Sequence, residues 1–286
     1  MTMDVRRFES GAELLAAAGH ALAAREAENS LVLGFAHSDR AFEGCELGLA
    51  AFSRGRPAAV LIQTGINEAI VSTAGARAAA ALGRGLAAAA PDSRGIVGPA
   101  APARAAAEGF ASATRDSVRI ERELILHQLQ AEPPAPAGGE RLRRATARDA
   151  ALLLAWAAGF EQDTRTPDHA RNAARRVHQG IESGRLYLLE AGAAPCAAAS
   201  WGRPTVRTRT VTCVYTPPEE RGQGRGRAIT SLLATRLLRE GAQTVLIFTD
   251  ADDPVPNHVY ERVGFRRLAA FSHLAFVRSE GLNPLL

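Results

Sequence analysis

Val211–Ala228 reads VTCVYTPPEERGQGRGRA, and with NHVYERVGF at Asn257–Phe265 it decides how the chain is read. The first stretch has the pattern of a β-strand, a Pro-Pro turn, a glycine-rich loop and a helix start. Gly222, Gly224 and Gly226 carry no Cβ, so a ligand can approach the backbone closely there. A loop of that kind at a helix N-terminus converges several N–H groups and a positive dipole end on one point. Arg221, Arg225 and Arg227 add charge around the same point, which suits an oligophosphate. The second stretch puts Asn257 and Tyr260 three residues apart, on one face of a short helix.

Other readings of the loop fit less well. Gly222-Gln-Gly224-Arg-Gly226-Arg227 breaks the dinucleotide fingerprint G-x-G-x-x-G at its last position, and it lies late in its domain instead of opening a βαβ unit. The mononucleotide P-loop needs a lysine, and all 34 basic residues of this chain are arginine. The same absence excludes lysine Schiff-base chemistry. A solvated turn with arginines remains the plain alternative, and the second block weighs against it.

Arg221-Gly-Gln-Gly224-Arg-Gly226 fits the R/Q-x-x-G-x-G/A signature of the GNAT superfamily of N-acetyltransferases, which the chain resembles over roughly residues 140–278. Thr216-Pro-Pro-Glu-Glu, Phe248-Thr-Asp250 and Asn257…Tyr260…Gly264-Phe265 extend the match in order. The resemblance implies acetyl-CoA as cosubstrate, no metal, and an amine acceptor: a small molecule, an aminoacyl group or a protein N-terminus. It implies that the strand ending Val214-Tyr215-Thr216 parts from the strand ending Phe248-Thr249, with the pantetheine arm in the opening. The diphosphate would lie on Arg221, Gly222, Gln223, Gly224, Arg225, Gly226 and Arg227. Asn257 would bond the pantetheine amide region and Tyr260 would protonate the leaving thiolate. A module that binds acyl-CoA without turnover and regulates a partner is the alternative of a different class.

The general base stays open among Glu219, Glu220, Asp250, Glu161, Asp163 and a water chain. His258 adjoins the motif but faces away from Asn257 and Tyr260. Strand alternation turns Cys213 to the face opposite Val214, as packing. The alanine-rich Cys196–Ser200 leaves room for an acyl group longer than acetyl, although alanine is abundant throughout.

With 286 residues the chain has room for one large or two ordinary domains, and 47% hydrophobic residues is a globular composition. A net charge of +4, with arginines spread along the chain, gives no reason to expect nucleic-acid binding. No apolar run reaches a membrane span, no signal-peptide pattern opens the chain, and Cys45, Cys196 and Cys213 form neither a disulfide framework nor a zinc site. A cytoplasmic protein, with a homodimer allowed, is the expectation.

EPPAPAGGE at residues 132–140 marks a break between a domain over 1–131 and one over 141–286. The expected class is α/β (α+β), a mixed and mostly antiparallel GNAT-type sheet flanked by helices in two tandem domains. In the first half, helices are expected over 11–28 and 77–90 and in a further alanine-rich run, with strands over 46–52, 58–63, 69–73 and 118–128. GIVGP at 95–99 reads as a turn, and no phosphate loop is evident. This layout resembles the degenerate N-terminal domain of tandem GNAT proteins. In the second half strands are expected over 141–145, 185–190, 196–201, 208–215, 243–249 and 265–277. Helices are expected over 147–160, 167–182, after the glycine loop and from Pro254.

Overall fold

The computed structural model describes residues 3–37, 47–64, 68–164 and 173–278. Its elements run twice through one series of ten. The first series is β1 (Asp4–Phe8), α1 (Gly11–Ala23), α2 (Ser30–Ala36), β2 (Leu47–Ser53), β3 (Arg56–Thr64), β4 (Glu68–Val71), α3 (Ala76–Ala89), β5 (Gly95–Pro99), α4 (Ala100–Thr114) and β6 (Ser117–Leu129). The second is β7 (Arg141–Arg144), α5 (Ala150–Thr164), α6 (Ala173–Glu182), β8 (Leu186–Ala191), β9 (Ala194–Gly202), β10 (Thr208–Tyr215), α7 (Arg225–Arg239), β11 (Thr244–Asp250), α8 (Pro254–Val263) and β12 (Arg266–Val277). GIVGP is strand β5, and α2 and β1 join it as elements the sequence reading lacked. The expected start of the helix at 167, and Cys45, lie outside the described residues.

The chain divides into two compact units, 1–126 with 249–252 and 268–286, and 127–248 with 253–267. The sequence assigns all of 141–286 to one domain; the division instead places β12 from Leu268 in the first unit, bonded antiparallel to β5 with Phe271 opposite Pro99 and Ala275 opposite Gly95. The 132–140 segment is part of the second unit. Glu132 pairs with Arg239, and Pro134 O accepts from Ser231 Oγ at 2.8 Å, so the start of the segment is fastened along α7.

In the first unit the sheet order is β1-β2-β3-β4-β5-β12-β6; β1–β2, β2–β3, β3–β4 and β5–β12 pair antiparallel and β4–β5 parallel. In the second it is β11-β10-β9-β8-β7, antiparallel except for β10 with β11. Each unit is thus a mixed, mostly antiparallel sheet carrying helices. Strand alternation splits the core in two: Ala197 and Ala199 of β9 face the cluster under α7 with Ile229, Leu233 and Leu237, while Ala198 faces the α5–α6 side with Leu153 and Val177.

The first unit's β4–α3 connection is only Ser72–Gly75, and the protein fills it. Asn29 is fully buried and accepts from Thr73 N at 2.8 Å while its amide donates to Leu22 O. The corresponding β10–α7 connection spans Thr216–Gly224.

Candidate active site in the second unit

β10 and β11 pair from Thr208/Thr244 to Val211/Ile247 and no further, although both strands continue. Within the continuation β10 changes register against β9 between Thr212 and Tyr215, where Cys213 takes a left-handed φ of 50°. Cys213 does face away from Val214, as alternation predicts, but the bulge sets it beside Thr212 on a pocket wall, so it is not simply packing. Beyond the bulge Val214 packs on the second unit's core, and Tyr215 is buried with its ring against Trp156 and Phe160 of α5, centroids 6.2 and 6.5 Å away. Gly159 lets the Tyr215 hydroxyl approach α5, since a Cβ there would overlap it. Burial, then the Asp163 carboxylate, raises the Tyr215 phenol above its usual pKa.

The chain then turns through Pro218–Glu220 into the glycine loop. Gly222 and Gly224 have φ of 76° and 77°, the region that favours glycine, and a Cβ on either would meet nothing within 4 Å. Gly224 is the N-cap of α7 and no side chain caps the helix. Ala228 N is bonded to Gly224 O at 3.0 Å. The N–H groups of Arg225, Gly226 and Arg227 in the first turn therefore lack intrahelical partners and point out of the helix end. Gly226 lies against Thr216, its Cβ position 3.6 Å from Oγ1.

The three arginines of the loop are not equivalent. Arg221 pairs with Asp163 at 2.6 Å and donates to Thr216 O. Arg225 is held by Glu140 at 2.8 Å and by Glu220 at 3.3 Å, and it also donates to Gln223. Arg227 is exposed, and its guanidinium bonds to no described residue. Two of the three charges expected at this point are thus compensated, which leaves the backbone and Arg227 as the anion-facing groups.

Asn257 and Tyr260 are on α8, which opens with Asp253 as N-cap accepting from Val255 N. The Asn257 amide donates to Asp253 O at 2.6 Å, and its oxygen lies 3.1 Å from His127 Nε2. Burial pulls the His127 pKa down, so the ring is a neutral hydrogen-bonding partner at pH 7. Tyr260 is buried beside Phe265, and burial, with smaller effects of Asp253 and Cys213, raises its phenol pKa. His258 is exposed.

Four of the five acidic candidates are ion-paired: Glu161 with Arg176, Asp163 with Arg221, Glu220 with Arg225, and Asp250 with Arg122. The sequence reading missed a pocket of about 300 Å3 between α5, α6 and the face of β8–β10. Trp156, Phe160, Trp201 and Tyr215 form its aromatic wall, Ala198 and Ser200 leave it room, and Cys213 lies at the β10 bulge. Both tryptophans of the chain are there, a convergence that no spacing in the sequence announces.

Residues 197–274 match the family model described as FR47-like protein. A mycothiol acetyltransferase of Cellulomonas flavigena is 36% identical over 75 residues, which are 26% of this chain and 22% of that protein. The chain thus spans only about a fifth of the length of that curated relative. A GCN5-related N-acetyltransferase from Sphaerobacter thermophilus superposes with a TM-score of 0.61 at 16% identity, over 97% of this chain and 96% of the other. A tandem GNAT protein from the clavulanic acid biosynthesis pathway superposes with a TM-score of 0.57 at 16% identity, over 96% and 98%. At these identities the structural matches establish the shared fold.

Proposed function

We propose that the chain is an acetyltransferase of the GNAT type, whose second unit transfers an acetyl group from acetyl-CoA to a primary amine by direct attack; the FR47-like match over residues 197–274 and the shared fold support this reading. The observation that carries this reading is the parting of β10 from β11 after Val211 and Ile247, beside a glycine loop and an uncapped helix end. The residues present fit the donor. Open space over Gly222 and Gly224, the free N–H groups of α7 and the unpaired Arg227 suit a diphosphate. Freed β10 backbone at Val214–Thr216 suits the amide groups of a pantetheine arm.

When bound, acetyl-CoA supplies an acyl group activated as a thioester. A backbone N–H of Val214–Thr216 would stabilise the charge that develops on the carbonyl oxygen. Tyr260, protonated throughout the neutral range, would give its proton to the departing sulfur as the N–C bond forms and the C–S bond breaks. Water would take the amine's proton and restore that of Tyr260. Asn257, fixed by His127 and Asp253 O, would orient the donor arm. The first unit, whose short β4–α3 connection is filled by Asn29, would be the degenerate domain of the pair.

Calorimetric titration with acetyl-CoA tests the donor site. Saturable binding is expected, abolished by Gly224→Asp with the far-UV spectrum unchanged. Equal affinity in that variant refutes the phosphate cradle. One observation favours the non-catalytic acyl-CoA module: among the described residues no carboxylate or histidine lines the pocket, so no protein base faces an amine there. Thiol release that depends on an added amine decides for the enzyme.

A further inference from the structure

The pocket's charge is its most specific feature. Its described lining contains two arginines, Arg176 and Arg185, and no acidic side chain. Arg176 is compensated by Glu161 at 3.4 Å. Arg185 is not: its guanidinium stacks on Trp201, 4.8 Å from the ring centroid, and makes no ion pair or hydrogen bond with a described residue. Arg209 stacks on the same ring at 5.7 Å and spends its donors on the carbonyls of Thr205 and Thr208, which leave its charge standing. Arg203 follows Trp201 by two residues, and its buried Nε has no hydrogen-bond partner.

Two guanidinium groups stacked on one tryptophan, with no described carboxylate beside them, repel one another, a condition that an anion relieves. The wall facing them is apolar and aromatic, and about 300 Å3 holds a compact molecule. Di- and polyamines would bring a second positive charge into this field and are disfavoured.

We propose that the acceptor is an amino-acid-like amine, with its carboxylate on Arg185 and its apolar or aromatic side chain among Trp156, Phe160 and Trp201. Its amine would then be directed toward Cys213 and Tyr215, where β10 leaves β11. A planar carboxylate matches the guanidinium fork, and the Trp201 ring fixes the orientation of that fork. This inference rests on the acetyl-transfer reading for the fate of the amine, but not for its binding.

Because both tryptophans of the chain line the pocket, their fluorescence reports on its occupancy. The full chain is titrated with L-phenylalanine, L-phenylalaninamide and phenethylamine, with and without desulfo-CoA. L-Phenylalanine is expected to shift the emission saturably, with a Kd at least ten-fold below that of the other two. Arg185→Gln should erase the difference, and Arg185→Lys should keep part of it. Equal or tighter binding of the amide overturns the proposal, as does an unchanged preference in Arg185→Gln or no saturable response to L-phenylalanine. A protein that failed to bind acetyl-CoA in calorimetry would still give this readout, so failure of the donor reading and failure of the acceptor reading are told apart.

Discussion

Tyr260 has a single task in the proposed reaction, and its environment sets the pH at which it can perform it. Burial raises the pKa of its phenol, so it stays protonated up to and beyond the ordinary value of about 10. Tyr260→Phe should lower kcat by about 100-fold, within the usual range for loss of a general acid, and leave the KM for acetyl-CoA unchanged. The alkaline limb of the wild-type pH–rate profile should not begin below about pH 10 on its account. Steady-state kinetics of both proteins over pH 6–10 check this, and equal kcat removes Tyr260 from the acid role. That Asn257 and Tyr260 share one side of α8 was legible from helix spacing. The place of Cys213 beside Thr212 on the pocket wall was not, because a positive φ in a non-glycine residue leaves no mark in the sequence. The ion pairs of Arg221 and Arg225 were hidden for another reason: Asp163 and Glu140 are distant in sequence, and only the fold brings them in.

Among the elements, α3 and α4 show what the alanine-rich composition does. Their axes approach so closely that a Cβ on Gly109 would overlap Ala80 O and one on Gly83 would overlap Ala106 O, both rigid backbone. Phe110 fills the space beyond, stacked 3.8 Å from Phe276 of β12. Gly109→Val should therefore destabilise the first unit by about 1–3 kcal/mol, the usual cost of overpacking. Gly19→Ala on α1 is the contrast. Its Cβ would lie 3.6 Å from Leu15, an ordinary contact, so the helix propensity of alanine should prevail and add up to about 1 kcal/mol. Urea midpoints of the two variants should move in opposite directions; a harmless Gly109→Val would mean that the helices can part. Periodicity made these helices and most strands readable. β5 escaped because Gly95 and Pro99 look like turn residues. Gly95 and Gly98 are glycine for another reason: their neighbours are Leu274 O and the Val71 backbone, at distances no Cβ could tolerate.

On the scale of the molecule, the proline-rich composition of 132–140 stands out in the sequence, yet the segment lies within the second unit, and nothing in the sequence assigns β12 to the first. A terminal strand carries the same alternation whichever sheet receives it, so nothing in Arg266–Val277 states its destination. His273 shows what holds it there. Its Nε2 lies 3.0 Å from the Glu68 carboxylate of β4 and 3.6 Å from that of Glu121 of β6. The hydrogen bond to Glu68 raises the His273 pKa above its usual value, against burial and the nearby Arg122 charge. A folded-state pKa above the unfolded one, about 6.5, means that the protonated ring stabilises the folded unit. That contribution is complete below about pH 6.5 and is lost as the pH rises through the folded-state value. The urea midpoint of the first unit should therefore fall from pH 6 to pH 8, and His273→Gln should flatten the fall while leaving the second unit's transition in place. Ending the chain after Arg267 should go further, stripping hydrogen-exchange protection from β5, which loses its partners from Phe271 to Ala275, while α7 keeps its own. Undiminished protection of β5 in the shortened chain would show that the first unit completes its sheet without β12.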